Sequence, residues 1–290
     1  MNSRRSLAFL PVLLACAGAA AAGDTAAVLT SAGGAYLEAF SSFQAAYGKS
    51  VPYFDLSKEK PALPPGTATI VTFGGKAASY PWPRGSNIVY AMAPGVFIKT
   101  QPPGKAVKIR LLPDFGVILG RLRQIQPGLK RLRILWMSPY YARYEETFRS
   151  EGEKLGIQVT APRVLSLDEL PALLRQALGE SDALWIPPDP LLVTTENLMI
   201  LKEFSWANGL PFYGSTKGMT REGAAASVGV SFKEMGAAAA RAAARLNSGE
   251  DVPELVFPEI PEISLNAPAA KRCGLEFSRA VLEEAVYLFP

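Results

Sequence analysis

The sequence contains no histidine. That removes Ser-His-Asp and Cys-His nucleophilic catalysis, zinc held by imidazole, and the commonest general base of enzyme sites. Cysteine is almost as scarce, with only Cys16 and Cys273 in 290 residues. Once an N-terminal signal is removed, Cys273 has no partner in the chain and no intrachain disulfide can form. Its setting, "AAKRCGLEF", reads as the end of a short helix with a buried structural thiol. No block of five like charges occurs, and the densest basic stretch, "KRLRILW" at Lys130–Trp136, runs directly into apolar sequence. Nucleic-acid binding would want a wider basic patch with interleaved aromatics, so no nucleic acid is expected as a partner. The stretch "TFGGKAA" is no P-loop: with Gly75-Lys76 as the GK pair, the first glycine would stand at Ile70, and G-x-G-x-x-G is missing as well. No acid and base converge on one recognisable pocket, so a non-enzymatic protein without a cofactor or metal is expected.

What is present suits a packed core: 49% hydrophobic and 19% charged residues, with a net charge of +4. The N-terminus, "MNSRRSLAFLPVLLACAGAAAAGDT", has Arg4 and Arg5, then an apolar stretch from Leu7, then small residues. This is the pattern of a secretory signal over residues 1–22, too short and too interrupted by Pro11 for a transmembrane span. Two processing readings stand side by side. Ala20-Ala21-Ala22 suits ordinary signal peptidase, whereas Leu13-Leu14-Ala15-Cys16 resembles a lipobox in which Cys16 becomes the lipidated first residue. A location in the periplasm or on the outer face of a bacterial envelope follows, with membrane contact only through that anchor.

From residue 24 onward, strand and helix patterns alternate. "TAAVLTS", "VPYFDL", "TATIVTFGG" and "SNIVYAMAP" read as strands, and "GAYLEAFSSFQAAYG" as a helix. "PPGKAVKIRLLPD" reads as a loop before the helix "FGVILGRLRQIQPG". The alternation restarts at "KRLRILWMS" and runs to the alanine-rich helix "FKEMGAAAARAAARLNSG". Such alternation implies βαβ units and mainly parallel sheets, hence an α/β fold of two Rossmann-like lobes. The expected division is lobe 1 over 24–126, lobe 2 over 130–250, and a crossover segment over 251–290 that completes both.

In open parallel sheets, ligands bind beyond the carboxyl ends of the strands. Four such ends carry suggestive residues. Gly74 and Gly75 offer backbone amides to a carboxylate or phosphate, or form an ordinary turn. Tyr140 and Tyr141 offer a stacking face and a hydroxyl, or pack at the lobe boundary. Ser215 and Thr216 bind ligand, or cap the next turn. Asp189, held between Pro188 and Pro190, either caps a helix or turn or faces the cleft to pair with a ligand's ammonium or hydroxyl.

The stretch from "ALWIPPDPLLVTTENLMILKEF" through "LPFYGSTKG" and "GAAASVGVS" resembles the ABC-transporter substrate-binding family of the tryptophan/tyrosine-binding lipoprotein type. The segments "GLKRLRILWMSPYYARYEETFRSEGEKLGIQV" and "LNAPAAKRCGLEF" resemble further elements of that family, with Cys273 where leucine is usual. The resemblance covers about residues 110–280. It implies the type I periplasmic-binding-protein fold: two lobes joined by three crossovers that close over a small ligand. It also implies a membrane permease as partner. "FGGKAA" is similar to the family's first-lobe ligand loop, but Gly75-Lys76 replace its Thr-Pro. The first lobe also departs in having only a Pro-rich connection between "YFDL" and "ATIVTFGG", where the family has a helix. The expected function is capture of a small amino-acid-like or polar solute. Asp189 would hold a donor, Ser215, Thr216 and the Gly74–Gly75 amides would hold acceptors, and Tyr140 would cover an apolar part. The alternative is a divergent envelope binding or signalling protein that acts through a protein partner without solute transport.

Overall fold

The computed structural model describes residues 24–290; the signal stretch and Cys16 lie outside the described residues. The chain begins with β1 (Thr25–Leu29), α1 (Gly34–Tyr47), β2 (Tyr53–Asp55), β3 (Thr69–Phe73), α2 (Gly75–Ala78), β4 (Asn87–Ala91) and β5 (Ala106–Ile109). β1 and β3 are buried at every position, the mark of central parallel strands covered on both faces. α1 stops at Gly48, whose φ of 72° is left-handed and whose N–H reaches back to the Gln44 carbonyl.

The second half continues with α3 (Phe115–Ile125), β6 (Arg131–Ile134), a 3-10 turn at Pro139–Tyr144, α4 (Glu145–Lys154), β7 (Gln158–Thr160), α5 (Leu170–Ala177), β8 (Ala183–Trp185), α6 (Thr195–Asn208), β9 (Phe212–Gly214), α7 (Lys217–Arg221) and β10 (Ala226–Gly229). It closes with α8 (Phe232–Asn247), β11 (Leu255–Val256), β12 (Glu262–Asn266), α9 (Ala267–Arg272), α10 (Arg279–Glu284) and β13 (Tyr287–Phe289). Among the described residues two sheets form, in the orders β11-β5-β4-β3-β1-β2 and β13-β12-β10-β9-β8-β6-β7. Every pairing is parallel except β10 with β12. The expected two-lobed, doubly wound α/β architecture is present.

The helices are not shared out as the expected boundaries of 24–126 and 130–250 have it. α3 leaves the first lobe and packs on β10 and α4, its Ile118, Leu119 and Leu122 joining Trp185, Tyr213 and Val228 in one core. α8 returns from the second lobe and lies along α1 and over β3, β4 and β5, with Ala238, Ala239 and Ala243 against Phe43 and Val89. β11 likewise joins the first sheet through β5. The chain therefore crosses between lobes three times, at residues 110–114, 230–231 and 257–261. A period of 3.6 says that a helix has an apolar face; it does not say which sheet that face covers.

Two further points concern the first lobe. "AVKI", expected to be loop, is strand β5, with Val107 and Ile109 in the core beneath α8 and Lys108 on the opposite face, followed by Arg110 two residues on. Between Asp55 and Thr69 there is no helix, as the Pro-rich text implies. That face of the first sheet, formed by Val28, Ile70, Ile88 and Tyr90, is covered instead by α2 and by loop residues Leu63, Trp82, Val96 and Ile98. Cys273 ends α9 and is half-buried, its Sγ 3.4 Å from Ser205 Oγ, and burial pushes the thiol up. No helix among the described residues is long and apolar enough to cross a membrane.

Candidate functional site

The segments after β4 and β5 in one lobe meet the turn after β6 in the other, at the carboxyl ends of the strands, the position where open parallel sheets take ligands. Asp189 explains the stiff turn after β8. Its side chain is fully buried, and Oδ2 accepts the Met137 and Ser138 N–H groups at 2.7 Å each, while Oδ1 accepts the Leu191 N–H at 3.0 Å. The flanking prolines bring no N–H of their own to compete, so the carboxylate ties the β8 loop to the β6 loop. It thereby seats the turn that carries Tyr140 and Tyr141. Asp189 is a brace in this structure, with no oxygen turned to the cleft for a ligand's ammonium.

The other expected ligand residues divide. Gly74 is buried at φ 101°, a left-handed conformation, against Thr30 and Tyr36, and its N–H is already bonded to the Ala91 carbonyl at 2.9 Å. Gly75 begins α2 partly exposed, and its N–H has no partner among the described residues. Ser215 is buried with its hydroxyl 3.6 Å from Met219 Sδ, so it packs beneath the β9 loop instead of lining the cleft. Thr216 is exposed and caps α7 by accepting the Met219 N–H at 3.4 Å. Tyr140 lies at the lobe boundary, hydroxyl to hydroxyl with Tyr144 at 2.8 Å, and its ring is 5.4 Å from that of Phe97 in the first lobe. Burial, first, and the Tyr144 hydroxyl, second, push the Tyr140 phenol well above its ordinary range.

Around Tyr140 stands a group that sequence reading missed. Lys108 is buried; its Nζ donates to the Val96 carbonyl at 2.8 Å and sits 4.1 Å from the Phe97 ring centre and 4.9 Å from that of Tyr140. Arg110 is 4% exposed, its guanidinium 4.6 Å from the Tyr144 ring and 4.8 Å from Phe257. Arg143, exposed on the 3-10 turn, lies 4.3 Å over Phe97. None of the three forms an ion pair among the described residues. Desolvation, reinforced by repulsion from Arg110 and Arg143, lowers Lys108 to about 8. The signal for these residues is in the text: in "AVKIRLL" Val107, Ile109 and Leu111 alternate with Lys108 and Arg110, a strand with one charged face.

The pocket between Pro94, Lys108, Arg110, Leu112 and Tyr140 has a volume of about 10 Å³, which is close to the least a single water needs. Larger hollows exist elsewhere. One of about 540 Å³ runs between Ile98 and Val252, but its Lys105 and Asp251 are already joined at 2.6 Å. Another, of about 300 Å³, lies by Arg131 and Gly179, at the amino ends of the second sheet's strands and far from the cleft. Neither brings residues of both lobes together, and the interlobe pocket does.

Three solved structures share the architecture across 91% of this chain. A domain from Streptococcus pneumoniae in complex with L-Trp aligns over 99% of its own length at 16% identity and a TM-score of 0.63. A conserved domain protein from Vibrio cholerae aligns over 98% at 15% identity and 0.63. The ligand-free, open structure of a substrate-binding protein with adhesive properties from Clostridium difficile aligns over 98% at 14% identity and 0.69. No curated protein sequence matches the chain. The family described as ABC transporter substrate binding protein matches residues 120–288, more than half of the chain. With two parallel-sheet lobes, three crossovers and that match, the chain belongs to the ABC transporter substrate-binding protein family and has the type I periplasmic-binding fold.

Proposed function

We propose that this protein, exported by its N-terminal signal, captures a small amino-acid-like or polar solute between its lobes by hinge closure. It then delivers the solute to the membrane permease of an ABC transporter. One observation carries the reading: loops from the strand ends of both lobes meet at Phe97 and Tyr140, beside a pocket roofed by the first crossover. A relative of the same fold holds L-Trp, which suits a solute of amino-acid size. Tyr140 and the Gly75 N–H contact the solute, while Asp189, Ser215, Thr216 and Gly74 hold the loops around it. Cys16, when lipidated, tethers the protein to the envelope.

The test is thermal unfolding of the mature chain against amino acids, small peptides, nucleosides and sugars. A solute at 100 times its dissociation constant stabilises by about 2.7 kcal/mol, a clear rise in Tm. Small-angle scattering of the same samples reads closure as a smaller radius of gyration. A panel that leaves both quantities unchanged removes the solute-capture reading.

The filled pocket favours one second reading, a divergent envelope protein that acts through a protein partner without transport. It is distinguished by Phe97→Ala. If the wild type is inert to the panel and this variant, with its ring withdrawn, remains so, the cleft is packing and the partner reading stands.

A further inference from the structure

Lys108, Arg110 and Arg143 bring three cationic side chains to one small volume between the lobes, where six rings surround them: Tyr90, Phe97, Phe115, Tyr140, Tyr144 and Phe257. Burying a charge is costly unless it is paired, and clustering like charges adds to that cost. Arg110 is the sharpest case: it is more than nine-tenths buried, lines the pocket, and makes no side-chain hydrogen bond or ion pair among the described residues, so its nitrogens are left with only the residue's last sliver of solvent contact. The ring faces around it offset part of the cost by cation–π attraction, though they leave the donors themselves unsatisfied. Nearby acids do not supply the missing charge. Asp189, whose field reaches Tyr141, has its oxygens committed to three backbone N–H groups. Glu254, whose field reaches Tyr90, forms no ion pair with any of the three. A cationic solute would meet like charge here, and a neutral one would leave the donors unmet.

We propose that the solute of this cleft is a small organic anion, a carboxylate or phosphate carried on an apolar or aromatic body, with Arg110 as its principal charge partner and Lys108 beside it. The proposal rests on the solute-capture reading and names its ligand class. The anionic group takes the open face of the Arg110 guanidinium, where the planar fork of donors matches two oxygens. The apolar body takes the space between Phe97 and Tyr140, opened when those two rings part. Because the Arg110 guanidinium also touches Phe115 at the start of α3 and Phe257 in the third crossover, its neutralisation is felt at two of the three hinge strands.

The experiment uses the full mature chain and titration calorimetry with 4-hydroxyphenylacetate, its neutral amide, phenyl phosphate, inorganic phosphate and tyramine. The expected result is binding of the carboxylate or the phosphate ester, none of the amide or amine, and an affinity that falls with added salt. The two anions, compared with each other, tell which head group the site takes. Arg110→Met is expected to weaken the bound anion by about 30-fold or more, and Arg110→Lys by less. The methionine variant also removes an unpaired buried charge, so its ligand-free Tm is expected to hold or rise, which separates lost binding from lost folding. If the amide or amine binds as well as the acid, or Arg110→Met binds the anion undiminished, the anion inference is overturned while solute capture stands. If no probe binds and none of the wider amino-acid and sugar panel shifts the Tm, both fall together.

Discussion

Asp189 and Lys108 show how differently a buried charge behaves with and without partners. Asp189 spends its charge on three backbone donors, so Asp189→Ala leaves the Met137, Ser138 and Leu191 N–H groups buried and unpaired. At roughly 1–3 kcal/mol for each orphaned donor, a loss on the order of 3–5 kcal/mol is expected in urea unfolding. Asp189→Asn keeps one acceptor but turns an NH2 toward a backbone N–H, so it recovers only part of that loss. On the solute-capture reading, either change is expected to weaken binding in the thermal-shift panel by displacing Tyr140, without any direct contact to the solute. Lys108 works in the opposite sense. Its folded pKa of about 8 lies below the ordinary 10.5, so the folded state holds this proton less tightly than the unfolded chain. The penalty is full below pH 8 and is relieved as pH rises from 8 toward 10.5. The groups acting on it are the Arg110 and Arg143 guanidiniums and the rings of Tyr90 and Tyr140. Stability of the wild type relative to Lys108→Met is expected to rise between pH 8 and 9.5. At pH 7 the methionine variant should be the more stable by on the order of 1–3 kcal/mol, less whatever the unpaired Val96 carbonyl costs. A flat difference across that window would mean that Lys108 titrates as an exposed lysine does.

Among the elements, the pair α1 and α8 depends on small residues. A Cβ at Gly236 would run into the backbone carbonyl of Ala39 on the facing helix, where no side-chain rotation can make room. Alanine is better than glycine within a helix by about 1 kcal/mol, whereas forcing two packed helices apart costs about 1–3 kcal/mol. Gly236→Ala is therefore expected to be net destabilising in urea unfolding. Gly120 on α3 is the control: nothing lies within 4 Å of its Cβ position, so Gly120→Ala is expected to stabilise by about 0.5–1 kcal/mol. The alanine-rich stretch of α8 was readable as a close-packing surface, because small side chains at helical spacing have few other uses. β5 carried the alternation of a strand, but its setting masked it. Pro102, Pro103 and Gly104 precede it, and Lys108 and Arg110 stand at positions where a central strand would ordinarily be apolar. Local rules fail there because Lys108 and Arg110 turn their charges into the ring cluster at the lobe boundary and not to solvent. Tyr140 was legible as a residue of the lobe boundary, since an aromatic pair after a strand end has an evident place where the lobes meet. Asp189 was legible as important, but whether its carboxylate faced ligand or backbone depended on Met137 and Ser138, some fifty residues away in sequence.

At the scale of the whole molecule, the two lobes are intertwined rather than consecutive, and this decides how the protein can be divided. Alternating strands and helices revealed two sheets, yet the order of the text placed α3 with the first and α8 with the second. Only the packing reverses both assignments. A fragment covering 24–126 would lack α8 and β11, exposing Val71 and Val89 on the first sheet and Phe43 on α1. It would also carry α3 with Phe115, Ile118, Leu119, Leu122 and Ile125 uncovered. At roughly 1.5–3 kcal/mol for each large apolar side chain left in water, five such residues forfeit about 10 kcal/mol, which matches the entire stability of a typical domain. That fragment is expected to be unfolded by circular dichroism and by amide exchange. A polypeptide joining 24–109 through a short linker to 230–257 contains α8 and β11 and omits α3, and it is expected to fold. In the intact chain, the three crossovers make each lobe depend on segments that enter from the other. Urea unfolding is accordingly expected to give one transition, with the same midpoint whether followed at Trp82 in the first lobe or Trp185 in the second. Two separated midpoints would show that the crossovers act as loose tethers and leave the lobes mechanically independent.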